Sequence, residues 1–466
     1  MLVRPYIWAA AGTALAWVVL FIGCLAANAD TLEWALVQAY QNNPSLNSQR
    51  ASLRATDENV PQALSGYRPK LSIVGTAGPN WEKATQEFPG NVTPTTVEQF
   101  MQRTVGASAS QTLFNGFQTA NRTRQAESQV DAARETLRVT EQQVLLDAAT
   151  AYMNVLRDGA ILELNQSNVQ VLTEQLKQTR DRFNVGEVTR TDVAQSESRL
   201  AAGRSALLGA QSNFVTSQAQ YRRIIGVDPG KLAPGTPVDR LSPSTLPKAI
   251  ALGQGQNPSV LAAMYGVDVA ELAVKISEGA LYPNLTLSAG AQAGNFPTFE
   301  TSKLVAASVV GTLTVPIYQG GSEYASIRQF KETVGQQRLN LDTNRDQARA
   351  TVVQSWGQLD AAKAQIESTT AQVNAAEIAL NGVREEARVG QRTTLDVLNA
   401  QQELVNARVA LVTAQHDRVV ASYALLAAVG GLSMQHLGLD VVIYDPTVHY
   451  QQIRDAWIGV RIPDGR

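Results

Sequence analysis

Few side chains in this sequence of 466 residues are equipped for chemistry. Cys24 is the only cysteine, and His416, His436 and His449 are the only histidines. Their spacing matches no metal-ligand motif. No nucleophile, base and orienting group occur together, so the sequence predicts no enzyme, no cofactor and no metal site. What remains is a charged, hydroxyl-bearing cluster that occurs twice. Arg182-Phe183-Asn184-Val185-Gly186-Glu187-Val188-Thr189-Arg190-Thr191-Asp192 returns as Glu386-Ala387-Arg388-Val389-Gly390-Gln391-Arg392-Thr393-Thr394-Leu395-Asp396, displaced by 204 positions from Gly186 to Gly390. Asp192 and Asp396 stand near the start of a helical stretch, where a carboxylate complements the positive helix end. Arg392 can serve a carboxylate and a hydroxyl, such as Asp192 and Thr191, from one planar fork. An isolated, exposed pair of that kind is worth only about 0–1 kcal/mol. The plainer reading is that Asp192 merely caps its helix and Arg392 is a solvated charge.

The elements that position this cluster follow from proline spacing. No proline falls between Pro94 and Pro229, nor between Pro316 and Pro446. Proline costs about 3 kcal/mol inside a helix, so these gaps permit very long helices. Gln118 to Phe183 and Gly321 to Arg388 are dense in Ala, Gln, Leu, Glu and Arg, all good helix formers. Each would span roughly 100 Å. Val144, Leu145, Ala148, Ala149, Tyr152, Val155 and Leu156 share a broad face, which marks an amphipathic helix that must pack on neighbours. Gly186 and Gly390 suit the left-handed position after a helix. Returning arms are expected from about Val193 to Arg223 and from Val397 to Ala427. The chain is thus read as two helical hairpins in tandem, with the repeated motif at their turns.

Upstream of each hairpin the period changes from 3.6 to 2. Val105, Ala107, Ala109, Gln111 and Leu113 alternate with Thr104, Gly106, Ser108, Ser110 and Thr112. Leu285, Leu287, Ala289, Ala291 and Ala293 alternate with Thr286, Ser288, Gly290 and Gln292. Such alternation indicates strands with one apolar and one polar face, and lengths near ten residues suit transmembrane strands, which need about 9–11. Pro79 to Gln99 and Phe296 to Lys303 are read as connections, the first longer and more polar. Four strands cannot close a barrel, because the smallest bacterial barrels have about eight. An open sheet in lipid would leave unpaired backbone groups on both edges. If these strands span a membrane, the chain must oligomerise, and three copies would give twelve strands. Dimers and hexamers remain open on sequence.

The net charge of −2 lacks the basic surplus of a nucleic-acid binder. With 44% apolar residues the chain is no polytopic helical membrane protein. Residues 1–29 read as a signal peptide: Arg4, an apolar run from Ile7 to Leu25, and a small-x-small site at Ala27-Asn28-Ala29. Two rival readings are an uncleaved anchor and lipidation at Cys24 after Phe21-Ile22-Gly23. Cleavage after Ala29 would leave no cysteine and therefore no disulfide.

These residues also resemble a family. Val315-Pro316-Ile317-Tyr318-Gln319-Gly320-Gly321 before a long helix, Arg182-Phe183-Asn184-Val185-Gly186 with its Val389-Gly390 copy, Tyr67-Arg68-Pro69, Leu281-Tyr282-Pro283, and the pair Asn43-Pro44 and Asn257-Pro258 are similar to the TolC-type outer membrane efflux proteins. The resemblance covers about Thr31 to Leu432. It implies an α+β membrane protein: tandem-duplicated long α-helical hairpins forming an α-barrel, with four transmembrane β-strands per chain contributing to a trimeric 12-stranded β-barrel. The first repeat is expected over 30–228, with strands near 70–79 and 100–114 and a hairpin near 117–225. A linker at the equator follows over 229–255. The second repeat spans 256–430, with strands near 284–294 and 303–316 and a hairpin near 320–428. Residues 431–466 make a C-terminal equatorial segment.

The implied function is a passive exit duct of a tripartite efflux pump or type I secretion system, located in the outer membrane and extending into the periplasm. Its partners would be two further copies in a homotrimer, a periplasmic adaptor (membrane fusion) protein, an inner-membrane RND or ABC transporter, and outer membrane lipid; nucleic acid is not expected. By the same resemblance Thr191, Asp192 and Arg392 hold the periplasmic gate shut, and Asp396 forms a carboxylate ring under three-fold symmetry. Val185, Gly186, Thr189, Val389, Gly390 and Thr393 would receive the adaptor hairpin tips. Two departures from the family pattern predict a weaker, less cation-selective latch: Asn399 stands where a second acidic ring belongs, and Ala387 where an aromatic partner belongs. The rival from another class is an exported structural or adhesive coiled-coil protein, which the four alternating segments oppose. The cargo, whether drug, protein or polysaccharide, is not legible in the sequence.

Overall fold

The computed structural model describes residues 30–85, 94–295 and 303–463. The leader expected over 1–29, with Cys24, lies outside the described residues, as does most of the Phe296–Lys303 connection. Helices α1 (Leu32–Asn42), α2 (Pro44–Asp57) and α3 (Asn59–Leu64) lead into strands β1 (Lys70–Thr85) and β2 (Thr95–Asn115). The first hairpin is α4 (Gln118–Asn184) and α5 (Arg190–Ile225). The second copy repeats this order with α6 (Leu246–Gln256), α7 (Pro258–Glu278), β3 (Asn284–Asn295), β4 (Leu304–Thr314), α8 (Ser322–Arg388) and α9 (Thr394–Ala428). Short helices α10 (Met434–Leu437) and α11 (Pro446–Ile453) follow.

Helices α4 and α8 are each 67 residues long, about 100 Å at 1.5 Å per residue. Their returning arms are half that length, and a second helix completes each rod. The joints are made by the duplicated Asn-Pro pair. Asn43 caps α2 by accepting from the Ser45 amide at 2.9 Å, and its side-chain amide donates to the Ile224 carbonyl at the end of α5 at 3.0 Å. Asn257 does the same for α7, accepting from Ser259 at 2.9 Å and donating to the Ala428 carbonyl of α9 at 3.0 Å. Proline follows each asparagine because the first helical position needs no amide hydrogen.

The main core lies at these joints, where Leu36, Leu46, Leu145, Ala148, Tyr152, Tyr221, Leu425 and Leu426 are buried. Small residues such as Ala148 and Ala149 let α4 approach its neighbours closely. The Tyr152 hydroxyl is shared between the carbonyls of Asp30 and Ala233, at 2.7 and 2.6 Å. Burial pushes its pKa up to about 12. This phenol therefore remains an un-ionised donor that ties the start of the first repeat to the inter-repeat linker.

The four strands form one antiparallel sheet in the order β1-β2-β3-β4. Leu71, Ile73, Val105, Ala107, Ala109, Leu287, Ala289, Ala291, Val305 and Val309 share one face through their pairings. The other face carries serine and threonine ladders, including Ser72 with Ser108 at 2.8 Å and Thr76 with Thr104.

Two details differ from the alternation read in the sequence. The ladder register shifts between Thr112 and Phe114, so Phe114 rather than Leu113 pairs with Leu285. A bulge of this kind moves every later side chain to the other face. The second difference is length, since much of the expected Pro79–Gln99 loop is strand: β1 and β2 pair as far as Thr85 and Thr95. At 16 residues β1 exceeds what a bilayer needs. Beyond the bilayer both faces meet water, so Asn80, Glu82, Lys83 and Glu98 erase the apolar alternation while the backbone ladder continues. Pro79 is tolerated because β1 is an edge strand within the chain.

Candidate functional site

The two hairpin turns are built alike. Gly186 and Gly390 adopt φ of 78° and 80°, the left-handed region that glycine enters without a Cβ penalty. The helices close with Glu187 N–H to Arg182 O and Gln391 N–H to Glu386 O, both at 2.9 Å. Thr189 and Thr393 then start α5 and α9 as N-caps, each with a reciprocal capping box. The Thr189 amide and hydroxyl donate to one oxygen of Asp192 at 2.9 and 2.7 Å. The Thr393 pair does so with Asp396 at 3.0 and 2.9 Å. The Thr189 hydroxyl bond leads in holding the Asp192 carboxyl below its usual range, and the Thr393 amide bond leads for Asp396. Sequence reasoning placed the aspartates at the helix starts but missed the threonines' part, although Thr-x-x-Asp in both copies is a capping-box signal.

The charged residues around the turns are where the copies diverge. In the first turn Arg182 donates to Glu187 at 2.7 Å. In the second, the position of Arg182 is held by Glu386, which accepts from Arg392 at 2.8 Å. Each turn is clamped by one ion pair of reversed direction. Among the described residues no hydrogen bond or ion pair joins Arg392 to Asp192 or Thr191 within the chain, and Thr191 is exposed. The single-chain fold thus brings Asp192 to Thr189, Asp396 to Thr393 and Arg392 to Glu386. Val185 and Val389 stand exposed at the two tips.

Just above the turns the two hairpins touch. Leu398 of α9 is buried with Leu172, Leu176 and Leu200 of the first hairpin. Beside it the Arg199 guanidinium donates to the Asn399 side chain at 2.6 Å. Within each hairpin an equivalent rung joins the arms, Arg180 to Glu197 at 2.6 Å and Arg384 to Gln401 at 3.0 Å.

At the opposite end, the strand ends facing the helices are flanked by exposed aromatics. Tyr67 and Tyr282 precede β1 and β3, and Phe117 and Tyr318 follow β2 and β4. Further along β1, Trp81 is also exposed. Girdles of this kind mark the water interfaces of an outer-membrane barrel. The junctions are tight. Gly116 has φ of 62°, and a Cβ there would collide with the Gly279 carbonyl oxygen. No helix among the described residues is long and apolar enough to cross a membrane.

An apolar-faced, aromatic-flanked sheet carried on helical hairpins of about 100 Å defines a class: an outer membrane channel that continues as a helical conduit. The chain belongs to the outer membrane efflux protein family, which matches residues 35–227 and 250–431, one match per repeat. It is 42% identical over 442 residues to the outer membrane efflux protein BepC of Brucella suis, covering 95% of this chain and 94% of that one. Identity to the outer membrane protein TolC of Vibrio cholerae is 28% over 415 residues, with 87% and 92% coverage. The fold is similar to that of the Campylobacter jejuni CmeC outer membrane channel, with a TM-score of 0.77 at 16% identity, over 91% of this chain and 89% of that one. The protein is therefore an outer membrane channel serving efflux or type I secretion, and nothing supports the adhesive coiled-coil alternative.

Proposed function

We propose that the chain is one third of a closed, passive exit duct, and not an enzyme. The observation that carries this reading is the open sheet: its apolar face suits lipid, while β1 and β4 present unpaired edges. Backbone groups left unpaired in lipid cost several kcal/mol each. Pairing β1 of one copy with β4 of the next satisfies them, and three copies complete a barrel of twelve strands. The polar face, with its serine and threonine ladders, then lines the water-filled interior.

The hairpin tips form the periplasmic mouth. Val185 and Val389, exposed on rigid Val-Gly-x-x-Thr turns, suit an apolar contact with the hairpin tips of a periplasmic adaptor. Gly186, Gly390, Thr189 and Thr393 hold those turns in shape. The adaptor joins the duct to an inner-membrane RND or ABC transporter, which selects the cargo. Closure of the mouth rests on bonds between copies. Arg392 exchanges Glu386 for Asp192 and Thr191 of a neighbouring subunit, and Asp396 supplies one carboxylate per chain to a ring of three.

Reconstitution of the purified protein in a planar bilayer tests the duct directly. Stable single-channel conductance is expected, and its absence under all voltages would sink the proposal.

A further inference from the structure

The C-terminal segment does not stop at the equatorial core. It docks along α1, α2 and α4 in steps. The Tyr444 amide donates to the Tyr40 hydroxyl at 3.0 Å, and His449 Nδ1 bonds the buried Asp57 carboxylate at 3.0 Å. Arg134 lies over the Tyr450 ring at 5.1 Å. Since α2 and α3 lead toward the sheet, the contact at Arg68 stands nearer the strands than the one at Asp57. The final contact is at Arg68, two residues before β1. Its guanidinium donates to the Ala456 carbonyl at 2.6 Å and lies over the Trp457 ring at 4.8 Å. The segment expected to remain at the equator thus reaches the base of the strands.

From Trp457 onward the chain is apolar and uncovered. Trp457 is 67% exposed, Ile458 95% and Val460 102%, with Ile462 at 46%. Ile458, Val460 and Ile462 stand at every second position, and Gly459, at φ of 130°, turns the chain between the first two. The stretch is neither helix nor strand. Among the described residues its backbone groups have no backbone partner, which excludes it from the hydrocarbon core but not from the wet headgroup boundary, where Trp and Tyr are enriched.

We propose that Trp457–Ile462 is a second membrane contact of the chain, lying along the periplasmic surface of the outer membrane with Ile458, Val460 and Ile462 turned into its lipid. The inference rests on the sheet spanning the bilayer, because Arg68 ties Trp457 to the level of Tyr67 and the other strand-end aromatics. The occupant of these apolar side chains is lipid rather than a neighbouring subunit, since Trp457, held at Arg68 next to Tyr67, continues the same aromatic girdle. Its role is to hold the barrel base upright on the helical conduit, outside the barrel wall.

Lipid-borne quenchers test this. In full-length protein with Cys24→Ser, single changes Ile458→Cys, Val305→Cys and Gln391→Cys each receive an environment-sensitive fluorophore, and the protein is reconstituted into vesicles of phospholipid brominated near the headgroup end of the acyl chain. The label at position 458 is expected to lose most of its emission, as is the label at 305 on the apolar face of β4, while the label at 391 on a hairpin tip keeps its own. Quenching at 305 without quenching at 458 overturns the proposal and leaves the duct intact. A label at 458 that brominated lipid leaves bright but that is shielded from aqueous iodide also overturns it, in favour of a contact with the neighbouring subunit. Absence of quenching at 305 overturns both readings.

Discussion

Arg199 of the first repeat donates to Asn399 of the second at 2.6 Å, and this hydrogen bond sits one turn above the motif that repeats. With Leu398 beside it, it fastens α9 to the first hairpin. Arg199→Ala should loosen the mouth and raise single-channel conductance. Asn399→Asp should turn the contact into an ion pair worth about 0–1 kcal/mol more and lower the conductance or the frequency of opening. Equal conductance in all three proteins would show that this contact plays no part in closure.

Arg392 is clamped by Glu386 within its own turn, so a latch between copies competes with that clamp. Arg392→Ser should raise the conductance. Glu386→Gln should free Arg392 for its neighbour and move the conductance the other way. If neither variant departs from the parent in bilayer recordings, Arg392 is a structural charge only.

Removing one N-cap hydroxyl costs about 1 kcal/mol. Thr189→Ala and Thr393→Ala should therefore fray the first turns of α5 and α9 without unfolding the hairpins. Hydrogen exchange at the amides of Asp192 and Asp396 should accelerate, with protection at Tyr152 unchanged. Faster exchange along the whole helix would contradict a local role.

Both capping aspartates have folded pKa values below the usual one, led by the Thr189 hydroxyl and the Thr393 amide respectively. Their contribution is complete above the unfolded aspartate value of about 3.9, and it fades as pH falls through the lower folded values. The turns should thus keep their exchange protection in mild acid and lose it only below about pH 4.

His416 behaves in the same sense at higher pH. It contacts Asp417 at 2.8 Å and Asn154 of α4 at 2.9 Å, and burial lowers its proton affinity. The neutral form is favoured by folding, so stability is complete above the ordinary histidine value of about 6.5 and declines as pH falls toward the lower folded value. Thermal unfolding of the parent should weaken across that window, while His416→Gln should flatten the dependence.

Most of the helical architecture was legible because long helices leave a one-dimensional record. Proline-free spans, the 3.6 period and a glycine at each turn are local signals, and a duplication displays each one twice. Strand existence was legible for the same reason, through strict alternation from Thr104 to Thr112. The strand ends were not. The register shift after Thr112 and the extension to Thr85 depend on which residues lie opposite, and pairing across a sheet leaves no mark on one strand alone.

The sequence by itself determined that this protein repeats, which residues stand at its turns and that its membrane-facing surface is a sheet. Tertiary structure alone decided the partners that lie far apart along the chain. Arg199 crosses to Asn399, Leu398 packs among Leu172, Leu176 and Leu200, and Trp457 reaches Arg68 at the base of the sheet. Charge and hydroxyl chemistry state what a side chain can bond. Only the packing of hairpin on hairpin states which partner is within reach.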